Sequence, residues 1–240
     1  MMPLPKISTP YYDLELPSTG EKVEYRPFLV KEEKLLVLAM ESQDQKQITK
    51  AIKEVIKSCT RADIKIESLP TFDIEYLFLN IRGKSVGEEI ELKVIAPDDG
   101  VTEVDVVISI DDIKVTKDEN HERDIDLGSG LSLRLKYPSL EEFITDNFDL
   151  TDDGSNVERT FDLIGSCIET IYNDEEAWSA ADCTKKEIKD FVDQLNSKQF
   201  QDIEQFFTTM PKLSHTVKVK NPKTKKTSEV VLEGLSSFFA

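Results

Sequence analysis

A chain of 240 residues, 39% hydrophobic and 8% aromatic, can bury a sizeable core as one large domain or two small ones, which excludes wholesale disorder. With 47 acidic and 30 basic residues its net charge is −17, so phosphate backbones and anionic lipid headgroups are poor default partners. No apolar run reaches bilayer length, and Met1-Met2-Pro3-Leu4-Pro5-Lys6 lacks a signal-peptide layout. Cys59, Cys167 and Cys183, far apart and without a C-x-x-C pair, fit free thiols in a reducing cytosol.

Tyr12, Leu14 and Leu16 alternate with polar residues, Ser18-Thr19-Gly20 turns the chain, and Val23 and Tyr25 continue the alternation. This predicts an N-terminal β-hairpin. Lys31–Glu41 is rich in helix formers. Ile48, Ala51, Ile52, Val55 and Ile56 recur at helical spacing up to Cys59, with a polar break at Ser42–Lys46. Thr71 after Pro70 reads as a helix N-cap, and the stripe Ile74, Leu77, Phe78, Ile81 stops at Gly83, read as a C-cap. The period then changes to two. Ile90, Leu92 and Val94 lead into Pro97-Asp98-Asp99-Gly100, and Val104, Val106 and Ile108 lead out, a hairpin whose proline and glycine suit the turn. Leu131, Leu133 and Leu135 predict a strand after Gly128-Ser129-Gly130.

From Tyr137 the helical period returns. Ser139 with Glu142 and Thr184 with Glu187 form capping-box patterns. Between them Val157, Phe161, Ile164, Ile168 and Ile171 make one stripe. Ile188, Phe191, Val192 and Leu195 make a second, and Ile203, Phe206, Phe207 and Met210 a third. Strands at Thr216–Lys220 and Glu229–Leu232 flank Asn221-Pro222-Lys223, a turn with an X-Pro pattern like that near Pro97, and the apolar end Leu235–Phe239 follows. The class expected is α+β, antiparallel β-hairpins with two blocks of amphipathic helices. The division expected is a mixed hairpin and helix region over 1–136 with a central β-hairpin, and a helical region over 137–240 closed by a hairpin and apolar tail.

Catalytic chemistry finds no foothold. His121 lies in the polar run Lys117–Asp124 and reads as a solvated loop residue; His215 opens a strand beside lysines. Neither belongs to a serine- or cysteine-centred motif. Gly83-Lys84-Ser85 matches the end of a P-loop, but Phe78 stands where its first glycine is needed. Asp149, Thr151, Asp153, Gly154 and Ser155 follow an EF-hand-like spacing, yet the twelfth position is Thr160 and not a bidentate glutamate. The carboxylates are too many to single out a pair, and no soft ligand set suits zinc. Catalytic residues, cofactor and metal are each expected to be absent.

Charge segregation is the remaining signal. Acids crowd Asp146–Asp182 with Arg159 the only base, whereas Lys212–Lys226 holds six lysines and no acid. This reads either as a solvated basic hairpin facing the chain's own acidic helices, or as a docking element. In the docking reading Lys218, Lys220, Lys223, Lys225 and Lys226 steer a protein partner, and Leu235, Phe238 and Phe239 supply the affinity. Nucleic acid fits less well, because arginines and interleaved aromatics are lacking.

Particular strings carry more than composition. Met2-Pro3-Leu4-Pro5-Lys6-Ile7, the stretch Tyr25–Lys34, the long segment Leu69–Glu88 and the ending Leu232–Phe239 resemble the baseplate hub protein family of T4-like bacteriophages; Thr116–Lys189 resembles it less. The resemblance implies a non-enzymatic protein needed to build the hub of a contractile-tail baseplate, as hub subunit or assembly factor. Its implied partners are other hub proteins or the tape-measure protein, in the host cytoplasm during assembly and in the virion if it stays. Homo-oligomerisation stays open, as do two other classes: a carboxylate-rich metal-dependent enzyme, and a regulatory protein that binds a host factor.

Overall fold

The computed structural model describes residues 7–61, 64–139 and 157–238, and its class is α+β. Six α-helices are present among the described residues: α1 (Val30–Glu41), α2 (Gln45–Cys59), α3 (Thr71–Val86), α4 (Val157–Cys167), α5 (Lys185–Val192) and α6 (Ser197–Thr209). The strands form small antiparallel sheets. The chain divides into two compact units, one within Met1–Ile66, Phe72–Thr116 and Lys212–Ala240, the other within Glu67–Thr71 and Lys117–Pro211. Residues 212–240, read from the sequence together with 137–211, therefore cluster with the first unit. The reason is strand pairing: β10 (Lys212–Lys220) bonds to β5 (Lys114–Thr116) as well as to β11 (Thr227–Glu233).

In the first unit β1 (Tyr12–Glu15) and β2 (Lys22–Tyr25) form the expected hairpin. Its turn is tied to α3, where the buried Asp73 accepts hydrogen bonds from the Ser18 N–H (3.0 Å) and hydroxyl. Burial pushes the Asp73 carboxyl above its usual range, and the two Ser18 bonds oppose that shift. Arg26 fixes the start of α1 to the end of α2, donating to Glu32 Oε1 (3.0 Å) and the Ser58 carbonyl (2.8 Å), while Glu32 Oε2 accepts from Leu29 N–H (2.8 Å). β3 (Glu89–Ile95) and β4 (Glu103–Ser109) pair residue for residue across the Pro97 turn. Ile90, Leu92 and Val94 face a core shared with Leu79, Ile110, Leu213, Val217 and Val219.

Two expectations change here. Thr71 itself opens α3, and its N–H (3.3 Å) and hydroxyl (3.1 Å) both reach the Pro138 carbonyl. Gly83 is not a C-cap, because α3 continues to Val86 and Gly87 takes the positive φ (+131°). Gly83 serves close packing: a Cβ there would sit 2.9 Å from Ile110 Cδ1. Its place inside a helix also ends the P-loop reading.

The second unit is a four-stranded sheet, β6 (Asp124–Gly128), β7 (Leu131–Leu135), β8 (Ile168–Tyr172) and β9 (Ala177–Ser179), with α4, α5 and α6. Leu133, Leu135, Leu163, Ile164, Ile203 and Phe206 lie in its core. The helix expected through Ile171 stops at Cys167. Ile168 and Ile171, three apart, are both buried because the β7–β8 register shifts between Arg134 and Leu135, so an irregular strand reproduces a helical spacing. Thr184 and Glu187 form the expected capping box, and Asn196 with Gln199 adds one the sequence reading did not include. The Ser139–Glu142 box and the calcium-like loop at 149–155 fall on or reach into residues outside those described.

Candidate protein-binding surface

The lysine-rich hairpin is built by alternation. Along β10 Leu213, Val217 and Val219 point into the core while Thr216, Lys218 and Lys220 point to solvent. Register places Lys218 opposite Glu229 and Lys220 opposite Thr227. Lys218 lies 3.8 Å from Glu229, both well exposed, so this pair contributes little energy. Lys220, Lys223, Lys225 and Lys226 are exposed and make no ion pair among the described residues.

What holds this charged tip in place is a second turn. Asn221, fully buried, donates from Nδ2 to Asp98 Oδ1 (2.9 Å) and Asp99 Oδ2 (2.9 Å), and its Oδ1 accepts from Lys223 N–H (2.8 Å) and Thr224 N–H (3.3 Å). The Thr224 hydroxyl donates to Asp98 Oδ2. Asp99 also accepts from the Thr102 hydroxyl (2.6 Å) and the Thr102 (2.9 Å) and Val101 (3.1 Å) N–H groups. The two X-Pro turns thus meet tip to tip, and they close alike. Gly100 N–H reaches Ala96 O and Lys225 N–H reaches Asn221 O, with Gly100 (+67°) and Lys225 (+65°) both left-handed. Hydrogen bonds from Thr224 and Asn221 hold Asp98 below the usual carboxylate range, and those from Thr102 and Asn221 hold Asp99 further below.

The apolar tail behaves differently from its expected role. Leu235–Phe238 forms a 3-10 turn, and Phe238 is 0% exposed, inside the first unit's core beside Ile90, Val217 and Val219. Its surface is already used within the chain and none remains for a partner. Phe239 and the Leu235 side chain lie outside what is described.

His121 is 8% exposed and not a solvated loop residue. Its Nδ1 lies 2.9 Å from Thr209 Oγ1 and its Nε2 3.0 Å from Tyr137 Oη, with the ring 5.1 Å from Phe206. The Thr209 hydroxyl donates to Gln205 O (2.7 Å), so it accepts from His121 Nδ1–H, and Nε2 accepts from Tyr137. Burial, with Lys117 and Arg123 nearby, pushes the imidazole pKa down. From β10, His215 Nδ1 donates to Asp112 O (3.2 Å). A concavity of ≈ 450 Å³ is lined by Arg134, Tyr172, Asp174, Glu175 and Glu176, among others, but Arg134 is committed to Asp124 through Nε (2.8 Å) and Nη2 (2.9 Å). Among the described residues no group of three or more His, Cys, Asp or Glu is placed to hold a metal, and no helix is long and apolar enough to cross a membrane.

No curated protein and no solved structure matches this chain. A family model described as T4 bacteriophage base plate protein matches residues 9–240. That span covers nearly all of both compact units, with the two joined turns and the lysine hairpin: the chain belongs to the T4 bacteriophage base plate protein family.

Proposed function

We propose that this chain is a non-enzymatic component of the baseplate hub, or a factor that assembles it, and that it acts by binding other baseplate proteins through the lysine hairpin. Family membership supports a structural role in the baseplate and, with it, association with other baseplate components. The observation that carries the finer reading is the set of Lys220, Lys223, Lys225 and Lys226: four exposed cations that make no ion pair among the described residues, on a turn clamped by Asn221, in a chain of net charge −17. Clamping matters because a preordered loop loses less conformational entropy on binding. Acidic hub proteins, or the helical surface of a tape-measure protein, fit this surface, with Lys218 at its margin. The lysines steer and orient; affinity then has to come from apolar contacts elsewhere.

Co-expression with the other baseplate proteins of the same phage, followed by size-exclusion chromatography, tests the reading. The expected result is a complex that weakens with salt and is lost when Lys220, Lys223, Lys225 and Lys226 are changed together to Glu. No complex with any hub or tape-measure protein, or one indifferent to the charge reversal, overturns it. Mass spectrometry of purified mature particles separates the two forms of the proposal, since a subunit stays and an assembly factor leaves.

A further inference from the structure

The surface of α1 raises a different question from the lysine hairpin, and its answer stands independently of the reading above. Seven of its twelve residues, Val30, Leu35, Leu36, Val37, Leu38, Ala39 and Met40, are apolar, yet only Glu32 and Ala39 are buried. Val30 is 79% exposed, Val37 49%, Leu38 54% and Met40 54%. Leu29 just before the helix and Val86 at the end of α3 are exposed as well, and Phe28 N–H donates to Ser85 Oγ (2.9 Å). Single exposed apolar residues are ordinary, but a helix apolar on most of its circumference is one that normally has something packed on it.

We propose that α1 packs antiparallel against α1 of a second copy of this chain, about a two-fold axis between Val37 and Leu38. Charge placement selects this occupant. Lys34, Val37, Leu38 and Glu41 share one helical face at spacings of three and four. Lys34 and Glu41 stand equally far from the centre of the Val37–Leu38 pair. A two-fold operation therefore sets Lys34 opposite Glu41 of the second copy and Val37 opposite its Leu38, twice over. Neither Lys34 nor Glu41 makes an ion pair within the chain among the described residues. The face is also close to neutral, with Lys31 and Glu33 beside them and Glu32 paired to Arg26, whereas the chain as a whole carries −17. A near-neutral face lowers the repulsion that a net charge of −17 sets between two copies. An isologous contact of this kind closes at two copies. One helix of 12 residues spans only about 18 Å, so the contact is small and association depends on concentration.

Sedimentation velocity of the full chain over a concentration series tests this. The expected result is a monomer–dimer equilibrium whose midpoint rises at least ten-fold in Val37→Lys plus Leu38→Lys. Lys34→Glu alone and Glu41→Lys alone each weaken the dimer several-fold, because like charges then face each other, and the double swap Lys34→Glu plus Glu41→Lys restores it to within two-fold of wild type. All four positions are exposed, so circular dichroism and Tm should hold. If the lysine pair nevertheless disturbs folding, the charge swap still decides. A wild type that stays monomeric throughout overturns the proposal. So does a dimer insensitive to the Val37 and Leu38 changes, a double swap no better than the singles, or a patch that binds only a different baseplate protein.

Discussion

Phe238→Ala distinguishes a tail that anchors a partner from a tail that completes the core. Phe238 is 0% exposed and packs into the cluster formed by Leu79, Ile90, Val217 and Val219. Truncating a buried phenylalanine removes its transfer free energy and leaves a cavity, at a cost of about 3–5 kcal/mol. For a domain of this size each kcal/mol moves Tm by a few degrees, so the expected drop is roughly 6–20 °C. Urea and thermal unfolding followed by far-ultraviolet circular dichroism measure it. Phe238→Leu, which keeps most of the apolar volume, should cost about 1–2 kcal/mol. Replacing Lys223, Lys225 and Lys226 together by Ala, all exposed, should stay within about 1 kcal/mol of wild type. If Phe238→Ala melts within about 2 °C of wild type yet abolishes partner binding, the assignment of Phe238 to the core is refuted.

Further outcomes follow from the same geometry. Asn221→Ala leaves parts of both turns unpaired in a buried place and should cost about 1–3 kcal/mol by urea titration, with β3–β4 and β10–β11 both opening more readily in hydrogen exchange. Asp98 and Asp99 have depressed folded pKa values, so their stabilisation is present above the ordinary Asp pKa near 3.9 and lost as pH falls through the folded values; Asn221→Ala should flatten that acid limb of the stability profile. His121 also has a depressed folded pKa, so its effect runs the same way: stability falls as pH drops below about 6.5, and His121→Gln should remove that slope while lowering stability throughout. The relevant neighbours are Lys117, Arg123 and Asp118. Lys225, left-handed at φ +65°, should tolerate Gly with a gain of up to about 1 kcal/mol and lose stability as Val. Alkylation with iodoacetamide should label Cys183 first, since Cys167 is buried and Cys59 is buried with its thiol pushed up to about 11, as mapped by peptide mass spectrometry.

The N-terminal, central and C-terminal hairpins were legible because alternation and turn chemistry are local, and so were α2, α5 and α6, whose apolar stripes are strong. The exceptions show where local signals stop. Ile168 and Ile171 imitate a helical spacing because of a bulge set by the neighbouring strand. His121 sits in a polar run, yet Tyr137, Phe206 and Thr209, distant in sequence, enclose it. Of the expected docking tail, the lysines are exposed as anticipated but Phe238 is not available, since burial depends on which strands converge beneath it. The exposed face of α1 escaped a reading of helix formers alone, because its apolar residues become informative only once their lack of cover is seen.

By itself, the sequence determined the α+β class, most element types, the charge segregation and the strings shared with the baseplate family. Each of these depends on neighbours along the chain or on composition. Only the tertiary structure decided that residues 212–240 cluster with the first unit, that Asp98 and Asp99 clamp the lysine turn through Asn221, and that Phe238 is core. Those outcomes rest on strand pairing and side-chain contacts between segments roughly a hundred residues apart or more, where no period or spacing records which partner a residue will meet.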